Sequence, residues 1–171
     1  QVGRLKAIMQ KAGIDKGFLP TRAAALEREE ETGGPVGAMM LPDGNVITGK
    51  TSERLGAASS LLMNALKTVT GVDVEEDVID DGAIDPICRL KTEQLDSKNH
   101  RLHSDETLIA LSISSATSQT AKRVIAGLPK LRGCDAFFSV IISQTDEELY
   151  RKLGINVCCE PKYERHTFYH K

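Results

Sequence analysis

The residues best suited to chemistry fall in two short stretches. In the first, Gly44-Asn45-Val46-Ile47-Thr48-Gly49-Lys50-Thr51 matches the pattern G-x-x-x-x-G-K-[ST]. Such a loop curls consecutive backbone N–H groups around phosphate oxygens and sets a lysine on the terminal ones. Three of the four intervening positions are here Asn, Val and Ile. Branched residues favour extended backbone and resist that curl, and Gly44 is better used in an Asp43-Gly44 reversal. The match therefore reads as accidental. A narrower claim survives: Lys50, Thr51 and Ser52 precede an expected helix start, where free amides attract an anion. On the plainer alternative, Thr51 or Ser52 only caps the helix and Lys50 is solvated. The second stretch holds Lys98, Asn99, His100, Arg101 and His103. His100-x-x-His103-x-Asp105 has metal-ligand residue types, but no cysteine pair accompanies it at zinc spacing, so solvated loop histidines are favoured. Arg101 and His103 near a helix start could instead hold a carboxylate or phosphate. Cys158-Cys159-Glu160-Pro161 could present a reactive thiol; nothing nearby lowers its pKa, and buried structural cysteine is the reading preferred.

These groups depend on a central unit running from Val36 to Thr70. Val36 to Leu41 is an apolar run of strand length. Pro42-Asp43-Gly44-Asn45 is a turn signal, since the favoured two-residue hairpin turn needs positive φ at both central residues. Val46-Ile47-Thr48 fits the return strand, which Gly49 breaks. Leu55, Ala58, Leu61, Leu62, Ala65, Leu66 and Val69 then recur with a 3.6-residue period, so one face of a helix is buried, and Gly71 supplies the stop. Upstream, Val2 to Ala12 reads as an amphipathic helix and Thr21 to Thr32 as a second, whose run Glu27-Arg28-Glu29-Glu30-Glu31 is a solvated face. Downstream, a strand is expected over Val74 to Ile79 and a helix over Asp85 to Leu95 with Pro86 in its first turn. A deep helix follows from Ser104 to Ile113, then another from Thr120 to Leu128. Cys134 to Ser143 reads as a strand covered on both faces, and Thr145 with Glu148 as a capping box. A helix ending at Gly154 and a last strand Ile155 to Cys158 imply a parallel pair. The alternation predicts an α/β fold: a three-layer α/β/α sandwich with a mixed sheet of about five strands, opened by a β-hairpin.

Composition narrows the function classes. The 171 residues carry a net charge of −2 and are 40% hydrophobic and 27% charged, enough for one domain with a real core. Near neutrality gives no overall electrostatic case for nucleic acid or an anionic membrane. No apolar run approaches a membrane span, and no signal peptide is visible. The four cysteines, Cys88, Cys134, Cys158 and Cys159, make a poor disulfide framework, which points to reduced thiols in the cytoplasm. Gln1 stands inside a helical pattern without an initiator Met, and the chain is read as a piece of a longer protein.

Two resemblances emerge from these segments. Apolar strand, Asp-Gly turn, return strand ending Thr48-Gly49 and buried helix resemble the opening of the cytidine-deaminase fold. That family places His or Cys with Ala-Glu at the start of its first core helix, and Pro-Cys-x-x-Cys at the start of the next. The matching positions here read Gly56-Ala57-Ala58 and Pro86-Ile87-Cys88-Arg89-Leu90. The zinc set is absent, and without Zn²⁺ to generate hydroxide the deamination has no nucleophile. The resemblance thus implies the architecture and argues against the activity.

The second resemblance spans nearly the whole chain. Leu41-Pro42-Asp43-Gly44, Thr48-Gly49-Lys50-Thr51-Ser52, Ser97-Lys98-Asn99, Arg101-Leu102-His103, Leu108 to Ile113, Leu128 to Cys134, Arg151 to Asn156, Cys159-Glu160-Pro161 and Tyr169-His170-Lys171 closely resemble the C-terminal part of the bacterial domain of unknown function (DUF) family 1846. The family implies a cytoplasmic bacterial protein several times longer, with no established biochemical function. Some members are labelled ATP-dependent peptidases; this chain has no H-E-x-x-H. Residues Lys50, Thr51, Ser52, Lys98, Asn99, Arg101 and His103 fall in family-like blocks and form the candidate anion site. His100 stands where the family pattern implies proline.

Taken together, residues 1–14 are expected to link from a preceding domain, 15–161 to form the α/β/α domain, and 162–171 a polar tail. The leading expectation is a small-molecule or anion-binding and assembly module, with no metal or cofactor. Its expected partners are the N-terminal part of its own full-length protein, a further copy of itself and a phosphorylated small molecule. An enzyme acting through Lys50 and His103 on a nucleotide-like or phosphorylated ligand is the alternative, and a purely structural oligomerisation domain a third. Neither deaminase nor metalloprotease activity is expected.

Overall fold

The computed structural model describes residues 15–164; the helix expected over Val2 to Ala12 lies outside them. The elements run α1 (Asp15–Thr32), β1 (Val36–Met40), β2 (Val46–Lys50), α2 (Ala57–Val69), α3 (Asp81–Arg89), α4 (Ser104–Ser114), α5 (Gln119–Ile125), β3 (Asp135–Phe138), α6 (Gln144–Lys152) and β4 (Asn156–Cys159). A π-helical turn, Leu90–Gln94, follows α3, and a 3-10 turn, Leu128–Leu131, precedes β3. The strands form one mixed sheet, β2-β1-β3-β4. β1 is antiparallel to both neighbours, and β3 and β4 are parallel as expected.

The α/β reading holds, with four strands among the described residues instead of five. The missing one is the strand expected over Val74 to Ile79. The Asp73 carboxylate accepts the Glu75 amide (2.8 Å) and the Asp73 carbonyl that of Glu76 (3.0 Å). This local capture folds an acidic stretch into a turn before any ladder can form. Val72 and Val78 are buried in the core there and Ile79 packs partly against it, whereas Val74 is exposed.

Period-2 alternation assigns the two faces of the sheet. Ala38, Phe137 and Cys158 pack with Phe18 and Ala25 of α1. Met39, Ala136 and Phe138 face the other way, into the main core with Leu61, Leu62 and Leu66 of α2 and Tyr150 of α6; Cys159 packs against this second cluster. Gly37 and Gly49 are cross-strand partners on that face. A Cβ on Gly49 would come 2.3 Å from the Leu61 amide nitrogen, and one on Gly37 2.9 Å from the Leu61 side chain. Gly49 therefore does not break β2: it lets the α2 backbone lie directly on the hairpin.

Several boundaries shift for local reasons. The hairpin closes as Gly44 N to Leu41 O (2.9 Å) and Leu41 N to Asn45 O (2.8 Å). Only Gly44 takes positive φ (+88°), so the reversal is a turn plus a glycine bulge, not the two-residue form. β2 runs through Lys50, and Ser52 caps a small loop with Leu55, so α2 starts at Ala57 behind Gly56. α3 begins at Asp81, where the Asp80 carboxylate accepts the Gly82 amide; Pro86 thus falls inside the helix. α6 is capped by Ser143, not Thr145, with Ser143 Oγ accepting the Asp146 amide. α4 is only half deep: Ala110 and Leu111 are fully buried, whereas Ile109 and Ile113 are 56% and 57% exposed.

Candidate functional site

The segment from Thr51 to Gly56 lies beside the segment from Asn99 to His103, and the two are laced together. Arg101 Nε donates to Ser52 O (2.6 Å), and His100 Nε2 lies 2.7 Å from Glu53 O. Leu102 N donates to Arg54 O (2.8 Å), and Leu102 O accepts from Gly56 N (3.2 Å) and Ser59 Oγ (2.8 Å). Asn99 Oδ1 holds the Arg101 amide. Beneath this seam the ammonium of Lys91, nearly buried, donates to Arg101 O and to Glu106 Oε1 (2.9 Å), whose same oxygen accepts the His103 amide (2.8 Å). An ammonium this deep is tolerated because it is paired and hydrogen-bonded.

At one end of the seam three helix starts meet. α4 begins at Ser104, whose amide (2.8 Å) and hydroxyl (2.6 Å) both donate to Asp146 Oδ1 in the first turn of α6. Tyr150 of α6, fully buried, donates its hydroxyl to Ala58 O in the first turn of α2 (2.6 Å). α2 itself has no side-chain cap and no acidic residue in its first turn. His103 stands at this junction: Nδ1 lies 3.5 Å from Asp146 Oδ2, with over a third of the side chain exposed.

The electrostatics of the pair follow from the contacts. The hydrogen bond to Asp146 raises the His103 imidazole above its ordinary value, against a smaller opposing effect of burial. Burial alone would raise the Asp146 carboxyl; hydrogen bonds from His103 and from the Ser104 hydroxyl and amide outweigh it and hold it low. An oriented imidazolium can bind an anion or donate a proton. It does not activate Ser104, whose hydroxyl is fully buried and donates to Asp146 instead of facing the imidazole.

The residues expected at the anion site divide into groups. Ser52, Asn99 and Arg101 are brought together at the seam, and His103 adjoins it. Thr51 is held through its amide by Pro35 O (3.1 Å). Lys50, the last residue of β2, and Lys98 are exposed, and among the described residues no hydrogen bond joins either to His103. Lys50, Thr51 and Ser52 do not precede a helix start, because α2 opens five residues later. The amides from Val46 to Lys50 lie in a strand paired with β1, so the phosphate-loop match is indeed fortuitous. His100 and His103 turn to different partners, and among the described residues no group of three or more His, Cys, Asp or Glu side chains is placed for a metal. Cys88 is pushed up in pKa by burial. Sequence reading missed Lys91, Ser104, Glu106 and Asp146. Ser143-x-x-Asp146 was the available signal for the last, as an N-cap followed by an acid in the first turn.

The fold and this junction define an α/β domain with a polar seam at converging helix ends. The chain belongs to the family of the domain of unknown function DUF1846, C-terminal, whose profile matches residues 19–169. UPF0371 proteins of Corynebacterium efficiens and of Corynebacterium glutamicum are each 46% identical over 168 residues, 98% of this chain and 34% of theirs. A UPF0371 protein of Streptococcus pyogenes is 37% identical over 170 residues, 99% of this chain and 34% of its own. The chain thus spans about a third of the length of the curated relatives it matches.

Proposed function

We propose that this chain is the anion-binding and assembly module of a larger bacterial protein, with Arg101 and His103 as the groups that hold the anion. The observation that carries the reading is the His103–Asp146 pair at the meeting point of three helix starts. Helix N-termini favour negative charge, and Asp146 both orients the imidazole and sustains its charge. Ser52 and Asn99 fix Arg101 beside it, and Lys50 and Lys98 add diffuse positive charge at the rim. The ligand class this suits is a small phosphorylated molecule. The β2-β1-β3-β4 order and helices on both sheet faces support a deaminase-like sandwich. On that reading the helix following β3 is α6, so its second motif position falls at Ser143 to Asp146, not at Pro86 to Cys88. No thiol stands there either, in keeping with binding in place of deamination.

Titrating the full-length protein with inorganic pyrophosphate in a calorimeter tests this. His103→Gln and Arg101→Gln should each weaken binding about tenfold, the loss of one charge-assisted hydrogen bond, and Lys50→Ala by less. Unchanged affinity in both of the first two variants removes the seam from the reading. The orientation of His103 by Asp146 also favours a second reading, in which the imidazolium donates a proton to a phosphorylated substrate; Lys50 takes no part in it.

Assembly is proposed to use the outer face of α4, where Ile109 and Ile113 stand one turn apart. About two thirds of the relatives' length lies outside this chain, and that remainder is the proposed occupant. Ile109→Lys with Ile113→Lys should leave the isolated domain folded and detach it from the rest of the protein in limited proteolysis. Dissociation of a dimer instead would assign the face to a second copy.

A further inference from the structure

A cavity lies against the 52–55 loop, and apart from Ser52 its lining residues take no part in the anion-site reading. It encloses about 360 Å³ between the start of α3, the acidic turn before it and the flank of α2. Its apolar wall is made by Leu55, Met63, Val78 and Ile84. Lys67, from the last turn of α2, lines it with only 9% of its surface exposed. The ammonium has three N–H groups, and one donates to Val74 O (3.1 Å). Among the described residues no carboxylate comes within ion-pair distance of it. Burial accordingly pulls the amine below its ordinary value, against the opposing pull of Asp77 and the neighbouring acids. Asp77 lines the same cavity, exposed and likewise without an ion pair among the described residues. Of the other two acids on the wall, Asp81 is satisfied by Arg54, and Glu53 is exposed and has no ion pair among the described residues. The cavity therefore offers one deep cation without an ion pair, and two such acids, Asp77 and Glu53, at the rim, beside an apolar surface.

We propose that this cavity binds a small zwitterion of amino-acid type, with its carboxylate on Lys67, its ammonium on Asp77 and an apolar side chain against Met63 and Ile84. A nearly buried ammonium with one protein acceptor gains most from a ligand that supplies a charged one. A simple anion would meet Glu53, Asp77 and Asp81 at the rim, and a simple cation would meet Lys67 at depth; a zwitterion satisfies both. The inference is independent of the anion site, since neither Arg101 nor His103 lines the cavity.

The test is a thermal-shift and calorimetric screen of the full-length protein against the neutral apolar amino acids, leucine first. It includes 4-methylpentanoate, which lacks the ammonium, and 3-methylbutylamine, which lacks the carboxylate. At least one amino acid should raise the melting temperature, and each half-molecule should bind about tenfold or more weakly than leucine, as expected for one lost charged contact. Lys67→Met, which keeps the apolar stem, and Asp77→Asn, at an exposed position that folding tolerates, should each cost a similar factor. His103→Gln should cost nothing here, which separates failure of this site from failure of the other. Silence across the amino-acid panel overturns the proposal. So does equal binding of 4-methylpentanoate, or an affinity that neither Lys67→Met nor Asp77→Asn alters.

Discussion

The sheet frame and the helical segment inserted between α2 and β3 are held by different forces. In the frame, α1, α2 and the four strands meet through side chains that repeat at the period of their own element, and two facing glycines let a helix backbone touch the sheet. Between Val72 and His103 the apolar contacts form a small satellite cluster of Ala83, Ile84 and Leu102 with Ala110 of α4, and the chain is further pinned by side chains reaching backbone atoms. Ser59 and Arg101 hold carbonyls across the seam, Lys91 holds another, and Ser114 Oγ accepts the Asp80 amide (3.0 Å). A frame of the first kind is tolerant of surface change and intolerant of volume. A segment of the second kind is sensitive to single polar substitutions, because its anchors satisfy backbone groups that the sheet and helices do not.

The sharpest test of this contrast is steric. Gly49→Ala should cost about 3 kcal/mol or more in chemical denaturation, because the added methyl must push α2 backbone off the hairpin. Gly44→Ala meets open space and pays only for its positive φ, about 1 kcal/mol. Equal costs would mean that α2 does not rest on the sheet as described.

Next in size is Asp146→Ala, which leaves Ser104 and Ser143 without an acceptor and should cost about 2–3 kcal/mol. The carboxyl is held low in the fold, so its contribution is present above the ordinary carboxylate range and disappears as pH falls through the lowered value. The imidazole is held high, so its contribution is full below about 6.5 and disappears as pH rises through the raised value. Stability of the wild type should therefore lose a component on the alkaline side of pH 6.5, and His103→Gln should abolish that component. A variant profile parallel to wild type there would sink the pairing. Lys91→Met should cost about 1–2 kcal/mol by freeing Glu106 and the Arg101 carbonyl. Arg151→Ala, which removes an exposed pair with Glu147 on α6, should stay within about 0.5 kcal/mol.

The contrast also explains what could be read without coordinates. The α2 stripe from Ala58 to Val69, the hairpin around Asp43-Gly44 and the parallel pair joined by α6 all announce themselves through period and turn chemistry, and they stand, while Leu55, expected in the stripe, lies in the loop before α2. The strand expected over Val74 to Ile79 fails because apolar residues at 72, 74, 78 and 79 mimic alternation, while the Asp73 carboxylate decides the backbone. Of the residues expected at an anion site, Ser52, Asn99 and Arg101 meet at the seam and His103 adjoins it. The misplaced part, Lys50 and Thr51, came from starting α2 five residues early. Asp146 was unreadable as a partner because it lies 42 residues from Ser104, and no local pattern records that meeting.

The neighbouring thiols of β4 carry one more consequence. Cys158 is packed against α1, whereas Cys159 turns to the opposite side and is pushed up to about 12 by burial. Successive residues of a strand point to opposite faces, so a thiol reagent can reach Cys158 when α1 lifts and Cys159 when the other layer opens. Following the two modification rates by mass spectrometry would time the breathing of each side of the sheet separately, within a single molecule.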